Sequence, residues 1–233
     1  MPAEHRNCIP ASLLKCVLTT CALSISPPAQ AERSQAPADF PDAYYRQAEE
    51  LGNRILRVYP ARSLVVIEVR RAGPAAWLGH DHVVASHDLS GYVSMDEGQA
   101  DILVPLERLV VDEPELRSEA GFNPQPSQQD IEATYLNMQN KTLESGRFPF
   151  ALIHIARLNI HRPELKVSIT LHGVTRTYEI QAHIESVPHG VAVDGKISFK
   201  QTDFGITPFS VLGGAIQVRD KLDLRFHILA QSH

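Results

Sequence analysis

The feature that most constrains what this chain can fold into is a strict alternation of apolar and polar residues over long stretches of its second half. Leu165, Val167, Ile169 and Leu171 fall on one face, and Lys166, Ser168 and Thr170 on the other. Tyr178, Ile180, Ala182 and Ile184 repeat the pattern against Glu179, Gln181, His183 and Glu185. Val191, Val193, Ile197 and Phe199 alternate with Ala192, Asp194, Lys196, Ser198 and Lys200, and Leu222, Leu224, Phe226 and Ile228 with Lys221, Asp223, Arg225 and His227. Successive side chains of a strand point to opposite faces, so period two marks strands that bury one side and wet the other. Residues 63–71, 89–95, 100–106 and 150–158 are further strand candidates with less regular alternation, which brings the count to about eight.

The connections between these segments are short. His172-Gly173, Pro188-His189-Gly190 and Asp96-Glu97-Gly98 carry turn chemistry, and short turns imply antiparallel neighbours. A helix interrupts the series at 127–143, with Ser127 as N-cap, Asp130 three residues on, and Ile131, Tyr135 and Met138 in a narrow apolar stripe. A second, shorter helical pattern starts at Asp42 and carries Tyr45, Ala48, Leu51 and Ile55 at helical spacing. Antiparallel strands that are apolar on one face bury it by stacking as two sheets or by curling into a barrel, and only the barrel also removes the edges. The chain therefore reads as all-β, an antiparallel eight-stranded barrel with one or two short helices. Such a barrel is just wide enough to be filled by side chains or to hold one slender ligand. The inward positions are mostly Val, Ile, Leu and Ala, which is compatible with a cavity that would suit a hydrocarbon chain.

The first thirty-odd residues are of another kind. Arg6 and Lys15 are their only basic residues, an apolar stretch runs over 13–25, and Pro27-Pro28 precedes Ala29-Gln30-Ala31. This is the order of a secretory signal peptide, with cleavage expected after Ala31. Residues 32–54 then form a linker and short helix, and 55–233 the barrel domain. Cys8, Cys16 and Cys21 all fall within the leader, so no disulfide, thiolate metal site or cysteine nucleophile is expected in the mature chain. Removing Arg6, Lys15 and Glu4 leaves 20 basic and 26 acidic residues, a net charge of −6. A weakly acidic surface without basic runs argues against nucleic acid as a partner, and stable membrane insertion is not expected of so short an apolar run.

Catalytic signatures are weak. There is no Gly-x-Ser-x-Gly elbow and no Walker-type loop, and Asp203-Phe204-Gly205, formally a kinase metal-binding triplet, stands without the other kinase motifs and reads as a turn. The chain is therefore not expected to be an enzyme, and no cofactor is expected. The sharpest chemical feature is His80-Asp81-His82 with His87 nearby. Residues two apart on a strand share a face, so His80 and His82 are an alternative metal pair, as in a metal- or haem-associated redox accessory protein.

Five further pieces point to one family: Tyr59-Pro60-Ala61-Arg62-Ser63, Leu89-Ser90-Gly91-Tyr92-Val93, Glu144-Ser145-Gly146-Arg147-Phe148-Pro149, Leu171-His172-Gly173-Val174-Thr175-Arg176, and Phe199 through Asp203-Phe204-Gly205-Ile206. In this order they resemble the YceI-like family, over about Leu56 to Leu229. The resemblance implies an extended lipocalin-like barrel in an exported, periplasmic carrier or reservoir for a polyisoprenoid or isoprenoid quinone-like lipid, with a homodimer compatible with it. Asn140-Lys141-Thr142, formally a glycosylation sequon, is expected to be unused because leader and family look bacterial. The expected interior positions are Val66, Trp77, Leu78, Val83, Leu103, Phe148, Ile153, Val167, Ile169, Ile180, Ile197, Phe199 and Leu224. The chain departs from the commoner family pattern at 78–84 and around the first helix, which leaves room for a shorter ligand, a more polar one, or none.

Overall fold

A computed structural model of the chain describes residues 36–232, so the expected signal peptide lies outside the described residues. Eight antiparallel staves follow one another in chain order around a closed ring. Three of them are jogged. The first comprises β1 (Ile55–Val58) and β2 (Leu64–Val69), and the second β4 (His82–Ser86) and β5 (Ser90–Ser94). The third is β6 (Gln99–Pro105) and β7 (Val110–Val111). The other five are continuous: β8 (Phe150–Ala156), β9 (Glu164–Leu171), β10 (Val174–Val187), β11 (Gly190–Lys200) and β14 (Lys221–Gln231). The ring closes because β14 pairs with β11 on one side and with both β1 and β2 on the other, as in Val58 opposite Ala230 and Val65 opposite Phe226. Closure pairs the two edges that an open eight-stranded sheet would leave free.

The jog in the first stave has a local cause. Pro60 lacks an N–H and opens a 3-10 turn over Pro60–Arg62, so the ladder to β14 is interrupted there. Buried Ser63 ends the turn by donating its hydroxyl to the Tyr59 carbonyl at 2.9 Å and accepting from the Leu229 amide at 3.0 Å. These bonds keep the backbone satisfied where pairing is lost. Outside the ring, β3 (Arg71–Ala72), β12 (Ser210–Val211) and β13 (Ile216–Val218) form a small three-stranded sheet.

Helices cover parts of the outer wall. α1 (Asp42–Glu50) lays Tyr45 and Ala48 over Ile55, and Tyr45 stacks on Tyr92 at 4.8 Å while its hydroxyl donates to Asp101 at 2.6 Å. α2 (Pro114–Glu119) covers β2 and β4 through Leu116, and Phe122 just beyond it joins the same cluster with Val66, Val83 and Ala85. α3 (Gln128–Asn137) starts at Ser127, whose Oγ accepts from the Asp130 amide at 3.2 Å, and passes into a π-turn over Met138–Thr142. This is the helix expected from the 127–143 pattern; the helix expected from Asp42 ends at Glu50, and the chain is in β1 by Ile55.

The interior is built in two halves. In one, Leu56 and Val58 from β1, Val93 from β5, Ile155 from β8, Leu165 and Val167 from β9, and Ile228 and Ala230 from β14 meet as a buried core. Toward the other end of the same staves the walls do not meet.

Candidate functional site

The space between those walls is an apolar cavity of about 420 Å³. Seven of the eight staves contribute, β10 being the exception, and five of them do so by strict alternation: Val65, Ile67 and Val69 from β2, Val84 and Ser86 from β4, Ala151 and Ile153 from β8, Ile169 and Leu171 from β9, and Leu222 and Leu224 from β14. Two elements outside the ring complete it. α3 and its π-turn supply Ala133, Thr134, Asn137 and Met138, and the small sheet supplies Val211, Ile216 and Val218. The cavity thus lies at one end of the barrel, with a floor formed by the buried core and a mouth framed by a helix and a flap. Its volume falls within the range of roughly 300–1,000 Å³ typical of small-molecule pockets.

Polar groups gather at the mouth. His80, His82, Arg71 and Asp130 line it, and the His80 and His82 rings meet edge to face at 6.2 Å. The Ser127 hydroxyl, 2.6 Å from Asp130 Oδ2, holds the Asp130 carboxyl below its ordinary pKa against a desolvation effect, and the two imidazoles act in the same direction.

His82 is tied down from behind. Its Nδ1 lies 2.6 Å from Oδ2 of Asp112, so with the carboxylate ionised Nδ1 carries the proton and donates. The Asp112 side chain is fully buried; it also accepts from the Val83 amide at 3.0 Å and from the Arg117 guanidinium at 2.6 Å. Arg117, on α2, donates further to the carbonyls of Asp81, Phe122 and Pro124. Burial alone would raise the Asp112 pKa. The bonds from His82 and Val83, the His82 charge and the Arg117 bond overcome this and hold it lowered. A charged network of this kind anchors β4, α2 and the loop after it to one edge of the mouth.

Of the residues expected inside the barrel, Leu78, Ile153, Ile169, Phe199 and Leu224 line the cavity together. Val167 and Ile180 belong to the buried core, and Ile197 packs against it. The remaining five are placed elsewhere. Val66 and Val83 point outward beneath α2, because β2 and β4 are apolar on both faces and parity cannot be read from them. Leu103 also faces outward, beside Phe40 and Tyr92. Trp77 is 73% exposed, on the 3-10 turn Ala76–Leu78. Phe148 sits 4.4 Å from the His172 ring at the β9–β10 turn, where it fills the space a side chain at Gly173 would occupy.

The helix wall of α3 and the flap wall of Val211 and Ile216 were not foreseen as lining. Met138 alone among those residues carried a signal, as part of the α3 apolar stripe. The metal pair is not supported: among the described residues no three His, Cys, Asp or Glu side chains are grouped to hold an ion, and His87 pairs instead with Glu113 at 2.8 Å. Asp203-Phe204-Gly205 forms a turn, with Phe204 fully buried and Gly205 at φ +73°.

A closed eight-stranded barrel with a hollow, apolar end and helical covering defines a lipocalin-like binding fold. The sequence profile of the YceI-like domain matches residues 60–230, and the chain belongs to that family. A polyisoprenoid binding domain from Saccharophagus degradans, implicated in plant cell wall breakdown, superposes with a TM-score of 0.55 at 10% identity, over 78% of this chain and 99% of that one. BcnA of Burkholderia cenocepacia gives 0.52 at 13% identity, over 74% and 98%. At such identities the likeness is one of fold. Comparison with curated protein sequences gives no match. No helix among the described residues is long and apolar enough to cross a membrane.

Proposed function

We propose that this protein is a non-enzymatic carrier or reservoir, exported to the periplasm, that holds the hydrocarbon chain of a polyisoprenoid or isoprenoid quinone-like lipid in the open end of its barrel. The observation that carries the reading is the 420 Å³ cavity, whose walls are predominantly aliphatic. A dry surface of this kind favours a hydrocarbon, since burying each methylene contributes about 0.8 kcal/mol. Membership of the YceI-like family and the polyisoprenoid-binding role named for the Saccharophagus domain point to the same ligand class.

The test is to purify the protein gently from its native host, extract with organic solvent and analyse by mass spectrometry. The expected result is an apolar lipid in near-stoichiometric amount; only trace lipid would refute the carrier reading. Export is tested on the same sample, whose first residue is expected to be Glu32.

A further inference from the structure

Among the described residues that line the cavity, one buried hydroxyl in the wall has no partner. Ser86 is the last residue of β4, is 1% exposed, and lines the cavity with an Oγ that makes no hydrogen bond. Its neighbours on that face are Val84 two residues back, Val65 opposite on β2, and Leu109 beside β7, all apolar. Buried side-chain polar atoms are normally paired, so an empty cavity leaves this one at a cost to stability. Water is a poor remedy, because an ordered water needs two to four polar partners and these neighbouring side chains offer none. His82, at the mouth, lies four residues back along the same strand, which at ~3.3 Å per residue puts Ser86 about 13 Å further in.

We propose that the ligand enters head-inward: an uncharged isoprenoid alcohol or carbonyl compound whose single oxygen pairs with Ser86 Oγ, with its chain running back along Ile153, Ile169 and Leu224 toward the mouth. This rests on the carrier reading and refines it. The head is uncharged because one hydroxyl in an apolar wall cannot offset the desolvation of a phosphate or carboxylate. It is also small, since the core of Leu56, Val93 and Val167 closes the barrel beyond it.

The experiment compares wild type with Ser86→Ala for two probes, a fifteen-carbon isoprenoid alcohol and the hydrocarbon of the same skeleton, each displacing an apolar fluorophore. The alcohol is expected to bind Ser86→Ala about tenfold more weakly, the loss of one hydrogen bond with its acceptor left buried. The hydrocarbon is expected to bind both proteins equally or the variant slightly better, and the empty variant to melt no lower than wild type. Equal changes for both probes would overturn the proposal while leaving the carrier reading intact. An alcohol that fails to bind wild type where the hydrocarbon binds would overturn it too, whereas failure of both probes would refute the carrier reading. Should alanine disturb the strand, Ser86→Cys, close in size but a far weaker donor, is expected to show the same selective loss.

Discussion

The size of the cavity sets a limit on how much hydrocarbon it can bury, and a ladder of primary alcohols from about eight to about twenty-two carbons would measure it. A water molecule takes up about 30 Å³ of liquid, and a methylene is of similar size, so 420 Å³ accommodates about fourteen such groups. Each methylene that leaves water adds up to about 0.8 kcal/mol, or roughly a fourfold gain in affinity. Six further carbons, from about eight to about fourteen, would give at most about 5 kcal/mol. Ordering the chain torsions opposes this, so a rise of two to three orders of magnitude is expected over that interval. Beyond about fourteen carbons the added methylenes lie at or outside the mouth and affinity should level off. Competition against an environment-sensitive apolar dye reads the series directly. Ile153→Trp, which places a bulky indole in the cavity, should move the plateau several carbons lower. A flat series would refute apolar burial as the source of affinity, and a rise continuing to about twenty carbons would show that the core half of the barrel opens.

Three other outcomes follow from particular contacts. Asp112→Asn keeps the shape of the side chain but leaves the buried Arg117 guanidinium without its counter-charge; urea unfolding should show a loss of about 3–5 kcal/mol. Because the folded-state pKa of Asp112 is lowered, its contribution is present above the ordinary carboxylate value of about 3.9 and is lost as pH falls through the folded value. Urea midpoints taken downward from pH 5 should therefore drop more steeply in wild type than in Asp112→Asn, and parallel curves would contradict the assignment. Gly190→Ala would set a Cβ 2.0 Å from the Ala230 carbonyl oxygen, a backbone clash between β11 and β14 that no rotamer relieves. Thermal unfolding should show a destabilisation of at least about 1–3 kcal/mol.

Legibility of the fold tracked which faces meet water. The strands β9, β10, β11 and β14 have solvent on their outer side, and their alternation matches the residues that turn inward, such as Val167, Ile180, Val193 and Leu224. On β2 and β4 the outer face lies under α2 and is as apolar as the inner one. Val65-Val66-Ile67 and Val83-Val84-Ala85 then carry no polarity contrast, and Val66 and Val83, expected inside, face outward. α2 itself is a six-residue helix whose main signal is Pro114 at its first turn, too short for periodicity to show. The anchoring of His82 by Asp112 joins residues thirty positions apart, and no local pattern records it.

The sequence by itself determined that strands form, that neighbours run antiparallel, and that their inner faces avoid water, because alternation and turn chemistry act over a few residues. Where the interior is solid and where it is hollow was decided only by the tertiary structure. Ile153 and Ile155 are the same residue type on the same face of β8, yet one lines the cavity and the other is buried in the core. The difference lies in what stands across the ring from each, and in α3 and the small sheet that frame the open end. Those partners come from distant parts of the chain, so the distance between walls is a property of the closed barrel rather than of any one strand.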